Sequence, residues 1–565
     1  MIIKSVKIDY GVLDDTISKD NLTVVDTYTS NFVKDKNTLI TQKKEKLASL
    51  EKNFFLLDGS HFFPEESKIY NIGWESKSIA DANGNINVYV EYSFTNAHSS
   101  LGLQVYFFEG CIPQSFAIEY YLNGTKKATT EKTGLDNTSF IDLTFVDSWN
   151  KIRLVFKKVN PYQRARFSSI VFGINYEITD DMIISVNAKK NIDISADYSS
   201  SGNFGCSFFN DGFFQMKDNK DLPINLKENL KAKIYIKKDN DEDFTFFGEY
   251  YTDETKVEEK GYVITLTGND LLFKLGEKNY KNGIVYKNRS LADWARDVAQ
   301  DAQIDIEIDK SFESIYSDGY ITELPHREAF RLIAEAGTGA LSINNDGKLV
   351  IKKVVHPDVS TLIENDDIVE GSLNSESKSE LGVEVSKYSF SKAKEASDLS
   401  YLESVALTPE EQEIELVYAQ FPVDVSSVKV FFDTTTSVVE NVSKRKVYSD
   451  RILLYVTGNE GDSTWVTITG VPYNKSAVSV KRGSELKDIK KIENNFLLTG
   501  SLAEQVADYQ YSILGKSYHS VEVVTNNNIE LEESILLNNS SITIEEIQFD
   551  ISNNENAIYI RGSEK

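Results

Sequence analysis

Nucleophilic, metal and acid–base chemistry would have to be built in this chain from two cysteines, five histidines and 87 acidic residues. A catalytic thiolate needs a neighbouring base or positive charge to lower its pKa. Neither Cys111 in EGCIP nor Cys206 in FGCSF carries a local motif of a catalytic thiol. Both sit among aromatics, the setting of a cysteine packed as a small hydrophobe. His326 opens the run HREAF, which lacks the spacing that puts two imidazoles on one helical face, and a surface or capping role is expected. Two cysteines and five scattered histidines supply neither a disulfide framework nor a four-ligand zinc site. Asp239, Asp241 and Asp243 alternate like the start of a calcium loop, but Phe244 stands where the sharp turn requires glycine. A solvated hairpin tip is expected there. With so many acidic residues, no glycosidase pair can be singled out. The expectation is a chain with no enzymatic activity, no metal and no cofactor.

Aromatic and guanidinium groups offer a different chemistry. Trp74, Trp149, Tyr162, Arg164 and Arg166 fall in one region, and flat rings with guanidinium forks suit stacking on sugars and hydrogen bonding to hydroxyls. Trp149 adjoins the alternating run Lys151 to Phe156, so core packing is favoured there. For Tyr162, Arg164 and Arg166, within NPYQRARF, structural and binding roles both stay open. Trp74, Tyr162, Arg164 and Arg166 form the candidate glycan-binding set.

The elements that position these residues are mostly strands. Apolar and polar residues alternate in Asn87 to Phe94, Lys151 to Phe156, Ala232 to Ile236 and Tyr262 to Leu266, the pattern of half-buried antiparallel sheet. Asn83-Gly84 and Asn123-Gly124 are hairpin signals. Helices are few. Ser290 and Asp293 open an amphipathic helix predicted over Leu291 to Ala302. A second starts at Pro325 and is expected to end on a left-handed Gly337, followed by a hairpin around Asn345-Asp346-Gly347. A third runs from Ser501 to Gly515, and Thr38 to Phe54 is a lysine-rich helical candidate. Later strands are predicted at Glu413 to Tyr418, Ser427 to Phe432, Arg451 to Val456 and Thr464 to Thr469, at sandwich-like spacing.

Length and charge set the frame. At 565 residues the chain holds roughly three to five domains. Its 41% hydrophobic content is enough for packed cores, and no apolar run is long enough to span a membrane. A net charge of −26 repels phosphate, so nucleic acid is not an expected partner. Thr361 to Gln420 carries 14 acidic and 4 basic residues and reads as a solvated strand face or linker.

Several stretches resemble a known family. LLDGSHFF, YNIGWESKSIADANGN, AIEYYLNG and WNKIRLVFKKVNPYQRARFSSIVFG, between Leu56 and Gly173, resemble a galactose-binding-like jelly roll of tail proteins from phages and prophages of Gram-positive bacteria. FNDGFF, KAKIYI, FTFFGEYYTDE and YVITLTGNDLLFKL resemble the first barrel of phage baseplate hub proteins. SLADWARDVAQDAQI with LPHREAFRLIAEAGTGALSINNDGKLVIKK resembles the hub's helix, helix and hairpin module, and ITIEEIQFDISNNENAIYIRG the strand pair closing its second barrel. The resemblance implies a mainly β, multidomain fold of barrels and sandwiches with a small α/β module. It divides the chain into an N-terminal strand and helix segment (1–53), jelly roll (54–174), first barrel (175–284), helix-helix-hairpin module (285–355), acidic segment (356–409), inserted sandwich (410–485) and the helix and closing strands of a second barrel (486–565). It further implies a homotrimer at the distal tail of a virion or phage-tail-like particle, synthesised in the host cytoplasm, whose partners are tail tube, spike and other baseplate proteins. No wall-digesting domain follows residue 565, so host-wall digestion is not expected. Attachment to host cell-wall glycan through the jelly roll is the alternative.

Overall fold

The structure, a computed structural model, describes residues 3–13, 17, 20, 22–25, 47–49, 51, 59, 61, 63, 65, 73–98, 103–135, 138–142, 144, 146, 148–192, 194, 201–210, 230–238, 241–258, 262–281, 283–344, 347–354, 358–377, 382–399, 403–433, 437–483, 489–514, 516–524, 529–537, 540–551 and 558–564. Most of the helix candidate over Thr38 to Phe54, Asp239, the Asn345-Asp346 pair and Gly515 lie outside the described residues.

Period-two alternation builds the central sheet. In Lys231–Lys238, Ala232, Ile234 and Ile236 are buried while Lys231, Lys233, Tyr235 and Lys237 take the more open face. Ile3–Leu13 pairs with this strand on one side and with Ser169–Ile178 on the other. The sheet continues through Thr245–Val257, Val263–Asn269, Asn203–Phe209 and Ile183–Asn191. There it crosses to the C-terminal strands: Val186 lies opposite Ile551 and Asn191 opposite Glu546 on Ser540–Ile551. Ile558–Glu564 and Ser517–Val523 extend that second lobe. One apolar core serves both lobes, with Val6, Ile8, Ile234 and Ile264 from the first and Val521, Ile544, Phe549 and Ile560 from the second. The sheet curls back on itself. Phe247 and Phe549 touch edge to face at 4.8 Å although three strands separate theirs in the sheet order, and the Tyr250 hydroxyl donates to the Lys189 carbonyl at 3.0 Å.

The chain between Ile3–Leu13 and Gly173 builds a two-sheet sandwich. One sheet runs Leu22–Val25, Asn85–His98, Trp149–Lys158, Ser115–Leu122 and Thr125–Thr133; the other side is built by Leu103–Tyr106, Ser139–Asp142 and the start of Ser169–Ile178, with Arg164–Phe167 on Trp74–Ile79. Ser169–Phe172 pairs within the sandwich and Gly173–Ile178 with Ile3–Leu13, so one strand ties the two bodies together. Asn123-Gly124 makes the expected hairpin, with φ of 49° and 83°. Asn83-Gly84 does not: the strands on either side lie in different sheets. Glycine is needed at 84 because a Cβ would sit 2.2 Å from the Val159 carbonyl oxygen.

The helical module follows the sequence closely, with instructive departures. Leu291–Ala302 is capped by Ser290, whose Oγ accepts from the Asp293 N–H at 3.1 Å. His326–Ala336 starts one residue after Pro325, which takes the cap position, and Gly337 is right-handed at φ −85°. Thr338 instead takes the positive φ, at 50°. The glycine is required for space, since a Cβ at 337 would lie 2.3 Å from the Phe312 ring. Gly339–Ile343 and Leu349–Lys353 form the expected hairpin, and Ile306–Ile308 adds a parallel third strand. Leu502–Ile513 has no side-chain cap from Ser501; Glu504 in its first turn accepts instead from Lys387 Nζ on Gly382–Lys392 at 2.8 Å, a tertiary ion pair. The second sandwich hangs between Gly382–Lys392 and its ladder partner Tyr473–Gly483. Gln412–Val417 pairs with Arg451–Thr457, and Glu403–Ala406 and Lys429–Phe432 flank Ser463–Gly470. Leu416, Ile452, Leu454, Val466 and Ile468 are its core. No helix among the described residues is long and apolar enough to cross a membrane.

Candidate functional site

The four candidate glycan-binding residues are close in space but differently engaged. Trp74 is fully buried, stacked at 5.3 Å on Phe156 and 5.4 Å on Phe167. Arg166 is buried too: Nε donates to Glu75 at 2.8 Å, Nη1 donates to Glu51 Oε2 at 2.7 Å, and Nη2 reaches the other Glu51 oxygen. Arg164 donates through Nη1 to the carbonyls of Ser76 and Lys77 and through its backbone N–H to Glu51 at 2.6 Å. Burial alone would push the Glu51 carboxyl up, but the hydrogen bond and charge of Arg166 hold it below the usual range. These arginines fasten Glu51 to two strands of the sandwich, and neither Trp74 nor Arg166 has a face open to a sugar. Tyr162 alone of the four is exposed, by 45%, with a left-handed φ of 61°.

Against the surface role expected for it, His326 is buried, with Nδ1 2.8 Å from the Lys278 carbonyl and Nε2 2.9 Å from Asp301. Packing of its helix against the preceding segment, which its position at the helix start does not reveal, sets this. The imidazole stands at the edge of a groove of about 1000 Å³ between the first lobe and the helical module, lined by Lys231, Lys233, Lys274 and Lys348. Glu249 pairs with Lys231 at 3.3 Å and with Lys233 at 3.6 Å, and Lys274 lies 4.2 Å from the Tyr251 ring centre. These contacts tie the lysines of the groove to the first lobe. Both thiols are buried, and burial pushes Cys111 up and Cys206 up to about 12, so each is protonated at neutral pH. Among the described residues no group of three or more His, Cys, Asp or Glu is placed to hold a metal ion.

Asp270 is the most perturbed carboxyl at this junction and was not singled out by any motif. It accepts from Gly202 N–H at 2.5 Å and from Phe273 N–H at 3.2 Å, capping Leu271–Lys274. Burial raises its pKa from 3.8 to about 6, against those backbone hydrogen bonds and the Arg327 charge. A folded pKa above the unfolded one means that ionisation opposes folding. The carboxyl therefore favours the fold least above pH 6, and stability should fall as pH rises from 3.8 to about 6. The wild-type minus Asp270→Asn stability difference, measured by denaturant unfolding, is expected to drop by about 3 kcal/mol across that window. A difference independent of pH would contradict the assignment.

No family model and no curated protein matches the chain. Among solved structures it is similar to a prophage MuSo2 43 kDa tail protein from Shewanella oneidensis, at 12% identity and TM-score 0.37 over 69% of this chain and 95% of that one. A tail protein from Neisseria meningitidis aligns at 10% identity and TM-score 0.38 over 69% of this chain and 94% of that one. The prophage tail protein gp18 from Listeria monocytogenes aligns at 7% identity and TM-score 0.36 over 69% and 91%.

Proposed function

We propose that this chain is a structural, non-enzymatic component of a phage tail or phage-tail-like particle: a baseplate hub or hub-like tail-tip subunit joining the tail tube to the spike and peripheral parts. The observation that supports this reading is the single sheet in which an N-terminal and a C-terminal lobe meet edge to edge, Ile183–Asn191 on Ser540–Ile551, with the helix-helix-hairpin module between them in sequence. That is the order in which the hub-like stretches occur. Two lobes per chain answer a symmetry problem, because three copies in a closed ring present six lobes to a sixfold tube and three subunits to a threefold spike. Sedimentation of the purified full chain is expected to give about 190 kDa, three times the 63.8 kDa subunit. A monomer at micromolar concentration would contradict the ring.

The second reading is attachment to host polysaccharide through the N-terminal sandwich. One observation favours it: Tyr162 holds an exposed ring on a left-handed backbone, the kind of strain that collects at ligand sites. It ranks second because the arginines beside it are spent on Glu51, Glu75 and backbone carbonyls.

A further inference from the structure

Three of the chain's four tryptophans, Trp74, Trp149 and Trp294, are at most 2% exposed, whereas Trp465 in the second sandwich is 48% exposed. The local sequence explains its orientation. In Ser463–Gly470 the burial alternates: Thr464, Val466 and Ile468 face the core, so Trp465, Thr467 and Thr469 face out. The neighbouring strands place partners on the same outer face. Ser404 lies opposite Trp465 on one side, and on the other Phe431 lies opposite Thr467 and Lys429 opposite Thr469. Phe431 is 51% exposed and is a diagonal neighbour of Trp465 across the ladder, a spacing of about 7–8 Å.

We propose that this outer face is a binding platform for a neutral polysaccharide. An indole and a phenyl ring on a pleated surface can stack on the C–H faces of neighbouring sugar units, while Ser404, Thr467 and Thr469 offer hydroxyls to the sugar hydroxyls. Charge points to a neutral ligand. Asp398, exposed opposite Thr469, and Asp433, beside Trp465, stand against the single Lys429, on a chain of net charge −26, so a polyanion would be repelled. A protein partner fits less well. The core of a protein interface is a contiguous, charge-depleted apolar patch, and here the two rings are interleaved with threonines and bordered by charges. The proposal does not rest on the hub reading, since the platform would act the same way on any particle or envelope that carries the sandwich.

The test uses the full chain with two probes: purified bacterial cell wall stripped of anionic polymers, and soluble hexasaccharides of glucose and of N-acetylglucosamine. Retention on the wall, or protection of Trp465 fluorescence from acrylamide by a hexasaccharide, is expected for the wild type. Trp465→Ala and Phe431→Ala, both at exposed positions and so expected to keep an unchanged melting temperature, should bind roughly tenfold or more weakly. Trp465→Tyr, which keeps a stacking ring, should retain most of the binding. Equal behaviour of wild type and Trp465→Ala on every probe, absence of binding included, would overturn the proposal. So would shielding of Trp465 that grows with protein concentration without sugar, because the face would then be an interface between copies.

Discussion

Arg166→Ala is expected to destabilise the N-terminal sandwich by about 3–5 kcal/mol, the range for removing one partner of a buried ion pair. The guanidinium joins Glu51, whose side chain is 1% exposed, to Glu75, at 11%. Its removal leaves two carboxylates to the Arg164 guanidinium, whose Nε lies 3.3 Å from Glu51 and 3.7 Å from Glu75, and takes away the hydrogen bonds that Arg166 gives to both. Replacing Arg166 together with both acids, Arg166→Met with Glu51→Gln and Glu75→Gln, should cost less than the single change, because no buried carboxylate is then left short of a partner and Arg164 keeps its bonds to the Ser76 and Lys77 carbonyls. The pH dependence carries a sign. The Glu51 carboxyl is held below its ordinary range in the fold, so its stabilising contribution is present above the unfolded pKa of about 4.5 and is lost as pH falls through the folded value. Wild type should lose this increment on acidification and Arg166→Ala should not. Denaturant unfolding followed by fluorescence at pH 7 and below pH 4 measures both. A loss under about 1 kcal/mol at pH 7 would mark the cluster as an ordinary surface pair.

Trp74→Ala is expected to cost about 3–5 kcal/mol through the cavity it opens. The indole packs against both Phe156 and Phe167, within 18° of parallel to each, and those two rings stack on one another at 6.3 Å, so the trio joins the two sides of the sandwich. The variant should therefore lose the sandwich's cooperative melt, and any loss of wall binding would follow unfolding. Trp74→Phe should recover part of the stability. If Trp74→Ala melted like wild type while wall binding vanished, the ring would be a ligand contact after all.

What could be read from the sequence was local. Ser290, the apolar stripe and the spacing to Ala302 placed one helix at its observed bounds because cap and stripe lie within a few residues of each other. Gly337 shows the limit: its type suggested a left-handed stop, while the Phe312 ring, 25 positions earlier, is what demands a missing Cβ. The Glu51–Arg166 pair spans 115 positions and leaves no periodic trace. Neither do the parallel pairings of Ile306–Ile308 with Leu349–Ile351 and of Val359–Ile363 with Ser534–Leu537. Trp465 was within reach: alternation in STWVTITG puts valine and isoleucine on one face and the tryptophan on the other. In the N-terminal sandwich, where Trp74, Tyr162, Arg164 and Arg166 lie, the density of aromatics marks the core.

Gold-labelled antibody electron microscopy on a lysate of producing cells tests the central claim most directly, since it reads the location of the chain without a substrate. Label confined to the distal end of tails is the result this account requires. Label on cell envelopes, with tails left bare, would contradict it.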